Sequence, residues 1–582
     1  MARPTTHPTT LGTDYILNAL AEEGLGHLFM VPGGLVDPFL PALARQPKLK
    51  PVVAAHEGGA VYMADGYARA AGSFGAAIGI GGPGACNMAT AVAAAKTDGS
   101  TVLVMTGEVP VDMEGRGAFQ DASQATLDDT AVMAPLTRLS KTVADAKNLN
   151  HWFRHALTIM WAQPRGPVHL SLMHDALTGE CAADYVKVGG FFAGAEALSR
   201  DAAEAALKLL AEPNDTKIRI AFLVGAGVEH DAAAARLKEV AERWSLPVAT
   251  TLRAKGMFPE DHALSLGVFG YAGTRHATNA ILGGELDCLL VLGSGFNERD
   301  TMHWTVRERA KAFMIHVNTD MDELTANGDL GHVVPGSCHA FLDLMQERAA
   351  MIAPALQAGQ ARRRQWLETI KAGPRLYDIE NTGRLGSPIH PATAIAALRK
   401  VFPRDGAVLV DSGAHRAFAG HYWTAYAPRT YISATNLGPM GWAIPAAIGV
   451  QCARPDKRVA VITGDGCMQM HGIEVQTAAR YGLPILYVVI NNGALGNVWL
   501  RAKQYGPLPA ELTSIPDHDW AGFARALGAQ GFTVRDPREL EDTYQKALAV
   551  DTTALIDVKA DKDCPTPVYD FSAGARAWSY HE

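Results

Sequence analysis

The chain has 582 residues, 48% of them hydrophobic and 19% charged, which is too much chain for one core and predicts several domains. Its formal charge of -8 excludes the basic footprint of a nucleic-acid binder, and no window approaches the roughly 18 unbroken apolar residues of a membrane span. Seven scattered cysteines with no CxxC pair argue against a disulfide framework or zinc site; with Met1 to His7 lacking a signal-peptide layout, they predict a cytoplasmic protein.

In chain order, the first block (1–190) reads as a strand at Pro51–Ala55, a helix at Gly58–Ala70, strands at Ala76–Ile80 and Thr101–Thr106, and a closing run Gly166–Leu172. The second (191–350) opens with an apolar strand Ile218–Val224, then Gly225-Ala-Gly227 and a helix Asp231–Trp244, with further strands at Cys288–Leu292 and Ala312–Val317. The Arg- and Gln-rich stretch Gln357–Arg375 marks a linker helix and exposed connection within 351–385. The third block (386–582) carries strands at Ala407–Val410, Val459–Ile462 and Ile485–Ile490, and a helix at Met468–Tyr481. Short β-rich runs alternating with longer helical patterns predict α/β architecture, with three doubly wound parallel-sheet domains. The first and third blocks are compatible with similar folds.

The clearest chemical unit lies in the third block. The strand Val459–Ile462 runs into Gly464-Asp465-Gly466-Cys467, and the next strand ends in Asn491-Asn492. A lone Gly-Asp-Gly is an ordinary turn. Here Asp465 and Asn492 stand 27 positions apart across a strand–helix–strand unit, so both loops fall at the carboxyl edge of one sheet, where such sheets bind ligands. One carboxylate and one carboxamide are hard oxygen ligands suited to Mg²⁺. The glycines admit a diphosphate beside a helix N-terminus.

Framed by two strands, this pattern resembles the fingerprint of the thiamine-diphosphate enzyme family. The resemblance implies that Asp465 and Asn492 bind Mg²⁺ through side chains and Ala494 through its carbonyl, with Gly464, Gly466, Cys467 and Gly496 lining the diphosphate pocket. In the first block, His56-Glu57-Gly58-Gly59-Ala60 through Gly66-Tyr67-Ala68-Arg69 is similar to the family's activating segment. By itself Glu57 reads as a dipole-stabilised carboxylate at a helix start; the resemblance makes it the group that polarises the aminopyrimidine so that the cofactor's thiazolium carbon loses its proton. Pro83 and Asn87 of Gly81-Gly-Pro-Gly-Ala-Cys-Asn87, and Gly413, Ala414 and His415, match further cofactor contacts. Gly438 matches the carbonyl that receives the 4′-amino group, and Met440 the wedge that bends the cofactor. The blocks become, in order, a pyrimidine-binding, a central nucleotide-binding-like and a diphosphate-binding domain. The family builds its site between subunits, which implies a homodimer or homotetramer.

The order of blocks resembles the acetolactate (acetohydroxyacid) synthase branch, over about residues 12 to 560. Pro32-Gly33-Gly34 is similar to its loop over the thiazolium, and Ala118-Phe119-Gln120 to a segment bordering the reacting carbon. Gly225, Gly227, Thr251, Leu252, Gly273, Thr274, Asn297 and Asn318 fall where the synthases hold a structural FAD. Arg299 matches an arginine that attracts the acceptor carboxylate, and a surface salt bridge remains an equal reading. The implied activity is decarboxylation of a pyruvate-like 2-oxoacid and addition of the resulting enamine to a second carbonyl, both substrates being small molecules. No His-His pair follows Glu108, so few side-chain acids or bases are expected at the reacting carbon. Departures also stand out. Arg501 occupies the place of a screening tryptophan, with Trp499 two residues earlier, and Lys96 replaces an apolar residue near the substrate channel. These cations suit an anionic or bulky substrate, or else a solvated rim. The alternative is an acyl-CoA decarboxylase or sulfoacetaldehyde acetyltransferase-like enzyme with ADP or CoA in the central domain, served by Arg253, Lys255 and Arg275.

Overall fold

The computed structural model describes residues 10–181, 184–191, 197–212, 219–230, 233–306, 312–326, 331–507 and 509–567. The N-terminal stretch 1–7, the expected strand start at Ile218 and the expected helix start at Asp231 lie outside them.

The apolar runs form strands that are buried along nearly their whole length, as parallel sheets covered on both faces require. The first sheet comprises β1 (His27–Met30), β2 (Lys50–Val53), β3 (Gly75–Ile80), β4 (Val102–Glu108), β5 (Ser140–Val143) and β6 (Val168–Met173), in spatial order β2-β1-β3-β4-β6-β5. The central sheet holds β7 (Ile220–Val224), β8 (Val248–Thr250), β9 (Ser265–Val268), β10 (Cys288–Leu292), β11 (Phe313–Asn318) and β12 (His332–Pro335), ordered β9-β8-β7-β10-β11-β12. The third contains β13 (Ala407–Val410), β14 (Tyr431–Ile432), β15 (Val459–Gly464), β16 (Ile485–Asn491), β17 (Gln530–Val534) and β18 (Ala554–Lys559), ordered β14-β13-β15-β16-β18-β17. All the neighbouring strands in these sheets pair in parallel. The first and third sheets therefore share one topology. The central sheet reverses direction between β7 and β10, and such a reversal opens a ligand crevice at the strands' carboxyl ends.

Helices α1 (Glu57–Ala71) and α2 (Pro83–Thr97) cover the first sheet. Helix α3 (Gln360–Lys371) precedes the third domain, which carries α4 (Ala414–Tyr422), α5 (Ala443–Ala453), α6 (Asp465–His471) and α7 (Gly496–Ala502). One hydrophobic core joins the first and third domains. It is continuous because α1 and α5 touch backbone to backbone: a Cβ on Gly66 would lie 2.9 Å from Ala446 Cα, and one on Gly449 2.8 Å from Tyr67 N.

Two expectations change. The stretch Gln357–Arg375 is not simply an exposed connection. Arg363 is fully buried, donating Nε to Ser245 O (3.0 Å) and Nη2 to Trp244 O (2.7 Å) and Leu356 O (2.8 Å), while Trp366 and Leu367 pack into the central domain. The carbonyls satisfy the guanidinium, so a charged sequence goes inside. The helix expected over Met468–Tyr481 breaks into α6, a 3-10 turn at Gly472–Glu474 and a helix at Val475–Arg480.

Candidate functional site

At the end of β15, Gly464-Asp465-Gly466 turns into α6. Asp465 Oδ1 accepts from Gly466 N (2.9 Å), and Oδ2 accepts from Ala494 N (3.2 Å). The same Ala494 amide also donates to Asn492 Oδ1 (3.2 Å). The loops after β15 and β16 thus bring the carboxylate, the carboxamide and Ala494 together. Burial pushes the Asp465 carboxyl up to about 6, although backbone N–H groups oppose the shift. A desolvated carboxylate among oxygen donors is a place for a divalent cation.

Around it lies a cavity of about 710 Å³ lined by Gly413, His415, Gly438, Met440, Cys467 and Gly496, among others. The glycines hold it open: a Cβ on Gly466 would come within 2.9 Å of Met440 Cε, and one on Gly496 within 2.7 Å of Asn492 Nδ2. His415 is buried with Nε2 lacking a protein partner, and burial drives its pKa down to about 3, so the ring is neutral. The Cys467 thiol donates to Ser412 O (3.2 Å). Buried polar groups without partners, facing a glycine-lined cavity, fit a diphosphate.

The expected residues of the first domain form a second cluster. Asn87 Nδ2 donates to Glu57 Oε2 (2.9 Å). A Cβ on Gly84 would lie 3.6 Å from Glu57 Oε1, and one on Gly33 2.8 Å from Ile80 Cγ2. Gln120 sits opposite Gly82 in the left-handed region (φ 60°). Pro32, Gly33, Gly34, Glu57, Pro83, Asn87 and Gln120 all stay outside the 710 Å³ cavity. Within one chain, the turn before Glu57 is instead held by the third domain, because Ala55 N and His56 N donate to buried Glu474 (3.1 and 3.2 Å). Within one chain, therefore, the Glu57 cluster and the Asp465 cluster share no cavity.

A cavity of about 310 Å³ occupies the crevice of the central sheet, lined by Gly227, Thr251, Asn297 and Asn318 among others. It adjoins the larger cavity, since Asn297, Asp300 and Asn436 line both. Several expected positions move. Leu252 lines the larger cavity instead. Gly225 N donates to Leu292 O (2.8 Å), and Gly273 N to Gly270 O (2.9 Å); neither residue lines either cavity. Thr274 is buried, donates Oγ1 to Leu266 O (2.6 Å) and caps the helix that follows, so it is structural. Lys255 is buried against Glu260 (2.7 Å), and Arg275 lies over the Tyr377 ring (4.5 Å), so neither faces a nucleotide crevice.

The expected substrate residues divide likewise. Arg299 and Arg501 line the 710 Å³ cavity, Arg299 lying over the Tyr271 ring (4.8 Å). Lys96 lines the central crevice instead, its Nζ donating to Pro135 O (2.6 Å). Trp499 turns away from the cavity, donating to Asp563 Oδ1 (3.0 Å). Phe119 stands 86% exposed on the other half-site. Sequence reasoning missed Arg416, which is buried on the cavity wall and donates Nη1 to Ala434 O (2.9 Å); only its place beside His415 hinted at it.

Two like-wound sheets, one ending in a buried carboxylate and a carboxamide beside a glycine-lined cavity and the other in a carboxylate at a helix start, match the architecture of a thiamine-diphosphate enzyme. Models of thiamine pyrophosphate enzymes match accordingly: the N-terminal TPP binding domain over residues 10–129, the central domain over 193–345 and the C-terminal TPP binding domain over 411–558. The chain belongs to this family. It is 33% identical over 567 residues to the acetolactate synthase large subunit of Parasynechococcus marenigrum, covering 94% of this chain and 87% of that protein. It is 31% identical to a probable acetolactate synthase large subunit of Methanocaldococcus jannaschii (94% and 92% covered) and 30% to an acetolactate synthase of Mycobacterium bovis (97% and 88%).

Proposed function

We propose that the chain is a carbon–carbon bond-forming carboligase that removes CO₂ from a pyruvate-like 2-oxoacid and joins the remaining carbons to a second carbonyl compound. The convergence of Asp465, Asn492 and Ala494 beside the glycine-lined cavity carries this reading, and the similarity to acetolactate synthases along nearly the whole chain gives it direction. The acyl-CoA alternative is not favoured, because the similarity to acetolactate synthases runs along nearly the whole chain; of its three cations Arg253 does line the central crevice, while Lys255 and Arg275 are engaged elsewhere.

Asp465 and Asn492 hold Mg²⁺ with the Ala494 carbonyl. Gly413, Ala414, His415, Gly464, Gly466, Cys467 and Gly496 bind the diphosphate. The Gly438 carbonyl would orient the aminopyrimidine, and Met440 would be the apolar wedge against which the cofactor rests. When bound, thiamine diphosphate supplies the carbon nucleophile that attacks the oxoacid and stores the electron pair CO₂ leaves behind. Glu57 of a second copy holds a proton at the aminopyrimidine nitrogen, with Pro83 and Asn87 beside it, while Pro32 to Gly34, Phe119 and Gln120 cover the reacting carbon and exclude water. Arg299 and Arg501 attract the carboxylate of the incoming substrate. The exposure of Phe119, Leu437, Met470 and Ile473 supports an assembly of at least two copies, a homodimer or homotetramer. The central crevice would take FAD in a structural role, held by residues such as Gly227 and Asn318; its glycine-lined, polar wall at the strand reversal fits a dinucleotide.

A product screen by mass spectrometry tests the reading. Pyruvate and other 2-oxoacids, offered with Mg²⁺, thiamine diphosphate and carbonyl acceptors, are expected to give coupled hydroxyketone products. Free aldehyde alone rejects carboligation. Visible flavin absorbance in the purified protein is the expected sign of FAD, and a colourless protein that stays so with added FAD rejects that part.

A further inference from the structure

Glu108 is the last residue of β4, is wholly buried, and takes no part in the chemistry assigned above. Its Oε1 accepts from its neighbour Val109 N (2.8 Å) and, across 14 residues, from Ala122 N (3.2 Å). Ala122 follows Gln120, whose backbone is held in the left-handed region that side chains avoid. The return contact Asp129 N to Ala122 O (3.0 Å) closes this turn. On its other side Glu108 faces the Gly81–Gly82 turn: a Cβ on Gly81 would lie 3.0 Å from Oε2, and Gly81 N is bonded to Gly107 O (2.7 Å). Oε2 is itself buried with no protein partner. One carboxyl thus ties down the turn after Gln120 by a hydrogen bond and packs against the Gly81–Gly82 turn that precedes Pro83.

We propose that Glu108 is a positioning residue that clamps the Gln120 turn to the Gly81–Gly82 turn, so that the geometry over the reacting carbon depends on this carboxyl. The inference rests on the reading that Gln120 borders that carbon. Burial, less the two hydrogen bonds and assisted by Asp129 and Asp121, pushes the carboxyl up to about 7. Asp121 and Asp129, both on the braced segment, are the charged groups that bear on it. His174 and Asp175 follow the paired strand β6, Asp175 being bonded to Val111 N (2.8 Å). The fold therefore favours the neutral carboxyl, and as pH rises through about 7 a buried negative charge appears beside two other acids.

The test uses the assembled holoenzyme, with kcat followed from about pH 5 to about pH 9 in wild type, Glu108→Gln, Glu108→Ala and Gln120→Ala. Trypsin cleavage after exposed Arg116 gives a readout independent of activity. The amide of Glu108→Gln keeps an acceptor for Ala122 N but cannot ionise, so cleavage stays slow and the inflection near neutral pH disappears. Glu108→Ala frees the turn, and we expect kcat to fall about tenfold or more and cleavage to quicken. Wild-type kcat and cleavage in Glu108→Ala, or an unchanged inflection in Glu108→Gln, overturns the proposal. If Glu108→Ala does not fold, the Glu108→Gln profile decides alone. Normal turnover in Gln120→Ala would instead undo the underlying reading of the site.

Discussion

At the scale of the residue, Glu57 and Asp465 separate two demands that one enzyme has to meet. Asp465 sits with Asn492 and Ala494 in the cradle, whereas Glu57 contributes a single carboxylate held by Asn87. Replacing Glu57 by Gln preserves shape and hydrogen bonding to Asn87 but removes the charge that, in the proposed function, polarises the cofactor. Turnover should fall by roughly 10²–10⁴-fold, the usual range for proton-transfer groups. Cofactor affinity, read by quenching of tryptophan fluorescence, should stay near wild type. A turnover loss under threefold or so would remove Glu57 from this role. Such residues were legible because their backbone neighbours spell out the turn that carries them. Lys96, Thr274 and Trp499 were not. Each was placed by position in the chain, but its direction is set by partners on other elements: Pro135, Leu266 and Asp563.

At the scale of the element, the strands were legible because burial on both faces leaves unbroken apolar runs such as Cys288–Leu292. Short or amphipathic edge strands left no such signal, β5 and β14 among them. Nor did the sequence announce how α1 meets α5. Their crossing depends on Gly66 and Gly449, where any side chain collides with the opposite backbone. Backbone cannot give way as a flexible side-chain end can, so Gly449→Ala should cost about 1–3 kcal/mol through overpacking. The checking measurement is the thermal midpoint of the apoprotein, expected to drop. An unchanged midpoint would mean that the two helices are free to separate. The start of the same helix is tied to the third domain, where Glu474 receives the amides of Ala55 and His56.

At the scale of the whole molecule, the Glu57 cluster and the Asp465 cluster of a single chain share no cavity. In the proposed assembly of two copies about a two-fold axis, the like-wound first and third domains of the two chains would meet as counterparts. In that arrangement Glu57 of one copy serves Asp465 of the other, and two differently broken chains can repair each other. Glu57→Gln and Asp465→Ala should each be nearly inactive alone. Unfolded together and refolded at equal amounts, they form mixed pairs in which one site carries both defects and the other carries neither. Random pairing then restores roughly a quarter of wild-type sites. Recovered turnover should approach that fraction, and it should require the two variants to have been refolded in the same solution. If the mixture stays as inactive as its parts while wild type refolds fully under the same conditions, Glu57 and Asp465 work within one chain, and the half-sites must close on each other by a domain movement instead.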